Sequence, residues 1–328
     1  MKTFYKFLLC NVLIVCVLFL CSWGYLVHKT VHQLAVYQLP TPLQNFFYAN
    51  MDYLVNQSAR PDKRKRFDST EGAKHFIDFE YYGENAQNKM PTTWQKAVKK
   101  YTADTLYKYG YVPFVVVDMQ NKLTNAFKQC KKDSILFYAN DLGHYIGDAH
   151  VPLHTTENYD GQLTNQKGLH ALWETTIPEI EINQFNLSTT HKATYISNVE
   201  ATIWKTVRTS YAMVNNVLEQ EKKVSATMND ATKFRTQIRN GKETKQYSTA
   251  FAKAYNVVLK NTINERLITT SQTIADFWYT AWVNAGKPNL ENCFATPSEL
   301  QLKNLQAELL MFKNNQLIQN NMLKAKAK

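Results

Sequence analysis

Glycine and proline are scarce, ten and nine among 328 residues, and no Ser/Gly linker, low-complexity tract or fixed-period repeat breaks the chain. Those absences argue against fibrous, solenoid and linker-divided architectures. They favour one folded domain, for which this length supplies a substantial core. Convincing runs of alternating polar and apolar residues are missing too, so the expected class is all-α, a single multi-helix domain. A long apolar run occurs near the start, Phe7 to Cys21, broken only by Asn11. It follows Lys2 and Lys6 and is short for a membrane span, so residues 1–22 read as a signal peptide and Trp23 as the first mature residue. An uncleaved anchor and lipidation at Cys21 are the alternatives. Cysteine is sparse as well. Of five, Cys130 and Cys293 lie beyond the cut, enough for one disulfide in an oxidising compartment.

Acidic residues are the minority charge. Removing residues 1–22 takes two lysines and no acid, leaving 36 basic against 27 acidic side chains, a net +9. A basic exported protein, periplasmic or secreted, tends to meet polyanions such as nucleic acid, anionic lipid or phosphorylated substrates. Solubility alone accounts for the same charge. Nothing demands a protein partner, and a monomer is expected.

Helical spacing of apolar residues runs over 24–38, then from Pro42 to about Asn56, with a polar basic loop at 59–68. Thr92–Tyr109 and Pro113–Lys131 read as amphipathic helices, and Ser134–Gly147 opens a third that brings His144 and Asp148. A short helix is expected at 168–176, and longer ones at 192–227, 247–286 and Ser298–Leu323. The basic stretch 232–246 between two of these reads as a solvated loop.

The chemistry concentrates between His144 and Glu174. His144, Asp148, His154, His170 and Glu174 are five possible metal ligands within 31 residues. His144 and Asp148 are four apart, so a helix sets them one turn apart on one face, and His170 with Glu174 repeats the spacing. Pro152 disfavours helix at Val151, so His154 leaves from a bend. Imidazole and carboxylate at such spacing suit Zn²⁺. His75 in its apolar run and His28, taken alone, read more simply as core histidines. His32, His150 and His191 read as non-ligands.

With these residues in order, the chain resembles the superfamily of the S1/P1 nucleases and the zinc-dependent phospholipases C. The resemblance runs from Trp23 to about Glu174 and includes an unbroken H-Y-x-G-D-A-H-x-P-x-H-x-x-x-N string from His144 to Asn158. It implies an all-α enzyme domain over 23–328 with three zinc ions in a cleft. By the same resemblance, Asp62, His75, His144 and Asp148 hold one ion, and His154, His170 and Glu174 a second. Trp23, through its own amine and carbonyl, and His28 hold a third, which Asp148 bridges to the first. Asp62 could also act as, or orient, a base toward the attacking water; Lys65, where the nucleases carry a basic residue, would stabilise charge on the phosphoryl group, or else is a solvated lysine of the basic loop.

Trp23-Gly24 followed by His28 has the nuclease spacing. His75-Phe76-Ile77-Asp78 resembles the nuclease segment in which an aromatic ring stacks on a base and an aspartate bonds its edge. The residues that cage choline in the phospholipases have no match here. Against this, Glu174 is the phospholipase choice of last ligand, and DGQLTN at 160–165 replaces a Gly-Gly-Asn of the nuclease base pocket, with Asn165 as the substitute. The expected substrate is therefore single-stranded nucleic acid or a nucleotide, with a phospholipid as the alternative. A protein using zinc only structurally is the third reading, and the open ligand positions disfavour it.

Overall fold

The computed structural model describes residues 24–239, 242–294 and 297–326. The expected signal peptide, residues 1–22, and Trp23 lie outside the described residues. The chain is helical almost throughout: α1 (Tyr25–Tyr37), α2 (Thr41–Ala49), α3 (Met51–Gln57), α4 (Arg60–Arg64), α5 (Trp94–Tyr101), α6 (Ala103–Tyr109), α7 (Val112–Lys128) and α8 (Lys132–Ala149) form the first half. A winding helical segment over 169–181 leads to α9 (Val199–Ser225), α10 (Thr249–Leu259), α11 (Thr262–Asn284) and α12 (Glu299–Lys313). Among the described residues no helix is long and apolar enough to cross a membrane.

One apolar core joins these helices. Helix α1 lies at its centre, buried from Thr30 to Tyr37, against α3, α8 and α11. Helix α8 is buried on every side from Ala139 to Ala149. An all-round buried helix is normally apolar, so its polar residues need partners. Gly143 and Gly147, one turn apart on α8, meet His32 and His28, one turn apart on α1. A Cβ added at Gly143 would lie 2.5 Å from His32 Nε2, and one at Gly147 would lie 3.0 Å from His28 Cε1. Two missing side chains thus let α1 approach closely enough for His28 to stack on His144, ring centroids 4.1 Å apart.

Several expected elements divide. Thr92–Tyr109 breaks at Thr102, whose φ of 68° is not helical, and 247–286 breaks at Lys260, φ 55°. The loop expected at 59–68 contains α4. The stretch 232–246 corrects the expectation most, because Phe234–Arg239 (β1) and Lys242–Tyr247 (β2) pair antiparallel as a hairpin. Its strands are polar except for Phe234, which faces Tyr247 at the open end, and the exposed Ile238 near the turn, so little alternation marks them. Cys130 and Cys293 form a disulfide with Cα atoms 5.7 Å apart, fastening the end of α7 to the short helix Leu290–Cys293.

Candidate metal centre

Six segments of the fold converge. Helix α1 brings His28, α4 brings Asp62, the turn after Gly72–Lys74 brings His75, and the buried end of α8 brings His144 and Asp148. The 3₁₀ turn Pro152–Thr155 carries His154, the bend that Pro152 demands. His170 lies in Leu169–Ala171, which runs on through a π-helical turn, Leu172–Thr176, holding Glu174. Such wide turns are frequent at functional sites because they re-aim a side chain. Here Glu174 Oε2 lies 2.7 Å from His170 Nε2 and 3.5 Å from His154 Nε2, while Oε1 lies 3.9 Å from His28 Nε2.

Asp148 divides its oxygens. Oδ2 is 2.8 Å from His75 Nδ1 and 3.4 Å from His144 Nε2, whereas Oδ1 is 3.5 Å from His28 Nε2. Asp62 Oδ1 is 3.7 Å from both His75 Nδ1 and His144 Nε2 and takes an ion pair of 2.9 Å from Lys65. Three groups result: Asp62–His75–His144, His28–His144–Asp148 and His154–His170–Glu174. The ligand atoms of each lie within 4.8 Å of one another.

The ring orientations fit a cation. A carbonyl only accepts, so a ring nitrogen facing one must carry the hydrogen. His144 Nδ1 donates to Ser58 O at 2.9 Å, His154 Nδ1 to His75 O at 2.7 Å and His170 Nδ1 to Tyr159 O at 3.1 Å. Each leaves its Nε2 lone pair facing the centre, the arrangement by which outer partners prepare metal-binding imidazoles. His154 Nε2 is buried without a hydrogen-bond partner, as is His28 Nδ1. Nitrogen and carboxylate donors of this kind suit zinc.

Electrostatics agree. Burial pushes the Asp148 carboxyl up, yet His144, His154 and hydrogen bonds from His28 and His75 hold it well below the usual range. Burial likewise opposes ionisation of Glu174, and His154 and His170 reverse it. Burial pulls His75 down and Asp148 more than offsets it, so the ring sits above its ordinary value. Burial drives His144 down to about 3, so its Nε2 stays a lone-pair donor at neutral pH.

Beside these groups lies a cleft of about 580 Å³ lined by Lys65, His75, Phe76, Asp78, His154 and His170 among others. Burial alternates along 75–79, with His75, Ile77 and Phe79 buried and Phe76 and Asp78 partly exposed. Hydrogen bonds from Ile77 N to His154 O and from Asp78 N to Tyr109 O fix that alternation. Gly110 packs directly under Phe76, where a Cβ would come within 2.5 Å of the ring. Burial, then the nearby Glu80 and Glu157, raise the Asp78 carboxyl to about 7. Asn165 stands apart, exposed at a left-handed turn, and does not line the cleft.

The histidines expected to be non-ligands have other partners. His32 Nδ1 faces His28 O, His150 Nδ1 faces Ile146 O, and His191 pairs with Asp276 at 2.8 Å. Sequence reasoning passed over Glu71, fully buried beside His75. Its spacing from Lys74 and His75, three and four residues, was the available signal.

No curated protein sequence matches the chain. A family model described as S1/P1 Nuclease matches residues 23–277. That span covers most of the chain and takes in every group of the centre, so the chain belongs to the zinc-dependent S1/P1 nuclease family of hydrolases acting on phosphoester bonds.

Proposed function

We propose that the chain is an exported three-zinc phosphodiesterase of nuclease type, cleaving single-stranded nucleic acid or removing phosphate from 3′-nucleotides. One observation carries the substrate half of this reading: Phe76 and Asp78, both partly exposed, line the same cleft as His75, His154 and His170. A base stacked on Phe76 could offer its edge N–H groups to Asp78 while its phosphate lies at the metal ligands. Such recognition needs an unpaired base.

The residues that would hold zinc are Asp62, His75, His144 and Asp148 for one ion and His154, His170 and Glu174 for a second. His28 and Trp23, the latter outside the described residues, would hold a third, with the outer oxygen of Asp148. When bound, zinc supplies Lewis-acid polarisation of a phosphoryl oxygen and acidification of water. The chain's own side chains supply the rest. Lys65, held by Asp62, sets a cation at the cleft mouth, where charge grows on the phosphoryl oxygens. Asp62 orients that lysine and can accept a proton from the attacking water. Export is supported by the apolar leader and by the Cys130–Cys293 disulfide, a bond suited to oxidising compartments.

A phospholipid substrate is the second reading. It is favoured by Glu174 as last ligand and by the position of Asn165 outside the cleft. The test is turnover by the zinc-loaded chain beginning at Trp23, on single-stranded DNA and RNA in one arm and phosphatidylcholine micelles in the other, each with and without chelator. Chelator-sensitive release of nucleotides alone is expected. Release of phosphocholine alone would replace the substrate class and reduce Phe76 and Asp78 to packing. No turnover in either arm would remove the proposal.

A further inference from the structure

We infer that Glu71 is a positioning residue whose buried carboxylate takes the Nε2–H of His75 and so keeps that ring's Nδ1 lone pair turned to the metal. The inference rests on the zinc site proposed above. His75 differs from its neighbours. His144, His154 and His170 hold their orientation through Nδ1–H bonds to main-chain carbonyls and face the centre with Nε2. His75 is reversed: its Nδ1 meets Asp148, Asp62 and His144. Once zinc takes the Nδ1 lone pair, the ring's hydrogen belongs on Nε2, which is buried and faces Glu71 Oε1 at 3.4 Å. That distance is longer than a formed N–H···O bond, and outer bonds of this kind tighten when the inner ligand is engaged.

Glu71 is built to stay charged and still. It is 0% exposed, yet Oε2 accepts from Arg64 Nε at 2.9 Å and Lys74 Nζ at 2.8 Å. Oε1 accepts from Arg64 Nη2 at 3.0 Å and from the Tyr145 hydroxyl. Arg64 is in turn gripped by Asp141, which also binds Arg60. Two cations and a phenol thus keep a buried carboxylate ionised and fix it in place. A fixed anion behind an imidazole sets its tautomer and raises its basicity toward a metal. The plainer role is architectural, because Arg64 and Glu71 also tie α4 to the turn at 72–74.

Two variants of the full zinc-loaded chain separate these roles. E71Q removes the charge, whereas Y145F removes one donor from the same carboxylate and leaves the charge. Zinc affinity, read by competition with a chromogenic chelator, should fall about 10- to 100-fold in E71Q and stay within about 2-fold in Y145F. Equal losses in both, or none in E71Q, would overturn the inference. If E71Q does not fold, nitrogen-15 NMR of the wild-type zinc form decides. An exchange-protected hydrogen on His75 Nε2 supports the role, and one on Nδ1 overturns it. A wild-type chain that binds no zinc would instead remove the proposed function, so the two failures are distinguishable.

Discussion

In the proposed function, Asp78 is the residue at which substrate recognition meets acid–base chemistry. Burial first, then the carboxylates of Glu80 and Glu157, lift it to about 7, so at neutral pH it is near half-ionised. An unfolded aspartate titrates near 4. The folded chain therefore holds the extra proton between about pH 4 and pH 7. Stability from this group is fully present below that window and is lost as pH rises through it. Asp78→Asn should flatten that part of the curve of melting temperature against pH. Function runs the other way, since only the ionised form accepts two N–H donors from a base edge. Affinity for a nucleotide with adjacent donors, such as a guanosine phosphate, should rise about 3- to 10-fold between pH 6 and pH 8 relative to Asp78→Asn, bounded by the roughly tenfold rise in the ionised fraction across that window. Equilibrium dialysis of both proteins at each pH checks it. A constant ratio would show that Asp78 does not touch the base.

At the scale of elements, the junction of α1 with α8 decides whether His28 reaches the centre. Alanine is a better helix former than glycine by about 1 kcal/mol. At Gly143 the added carbon would meet His32 Nε2 at 2.5 Å, inside a ring locked between His28 O and Asn140 O. Overpacking there costs roughly 1–3 kcal/mol, so Gly143→Ala should lower the melting temperature. At Gly147 the contact is 3.0 Å and a shift of a few tenths of an ångström relieves it. Gly147→Ala should leave the melting temperature nearly unchanged while displacing His28. Metal analysis should find one zinc fewer per chain, with the other two retained. Loss of all zinc would mean that α8 itself had moved.

The same junction shows what a sequence can convey. His144 with Asp148 and His170 with Glu174 are legible because helical neighbours four apart share a face whatever the fold. Asp62, His75 and His28 come from distant segments, and resemblance to a family was needed to join them to the site. The Gly143–Gly147 stripe and the Glu71 network stayed hidden, since each acquires meaning only from a partner brought by tertiary packing. The helix breaks at Thr102 and Lys260 carry neither glycine nor proline, and local propensity alone does not place them.

Over the whole molecule, the end of the chain braces the beginning. Beyond residue 277, where the family match stops, α12 sets Glu308 against the hydroxyls of Tyr37 and Tyr48, and Gln33 is bonded by Met322 O and Lys324 N. All of these act on α1 or its neighbour α2, so the tail steadies the helix that carries His28 from the side away from the ligands. The disulfide belongs to this brace, joining cysteines 163 positions apart in sequence. A cross-link over so long a loop removes much freedom from the unfolded chain, on the order of 2–5 kcal/mol. Cys293→Ser should therefore lower the melting temperature by roughly 5–10 °C. Among the described residues neither cysteine is bonded to a candidate ligand, so zinc content at low temperature should not change. Chelation should lower the melting temperature by a separate amount, and the two losses should add, as distant independent sites do. Scanning calorimetry of both proteins, each with and without chelator, measures all four corners. A drop from chelation that vanished in Cys293→Ser would mean that the tail and the metal centre unfold as one unit.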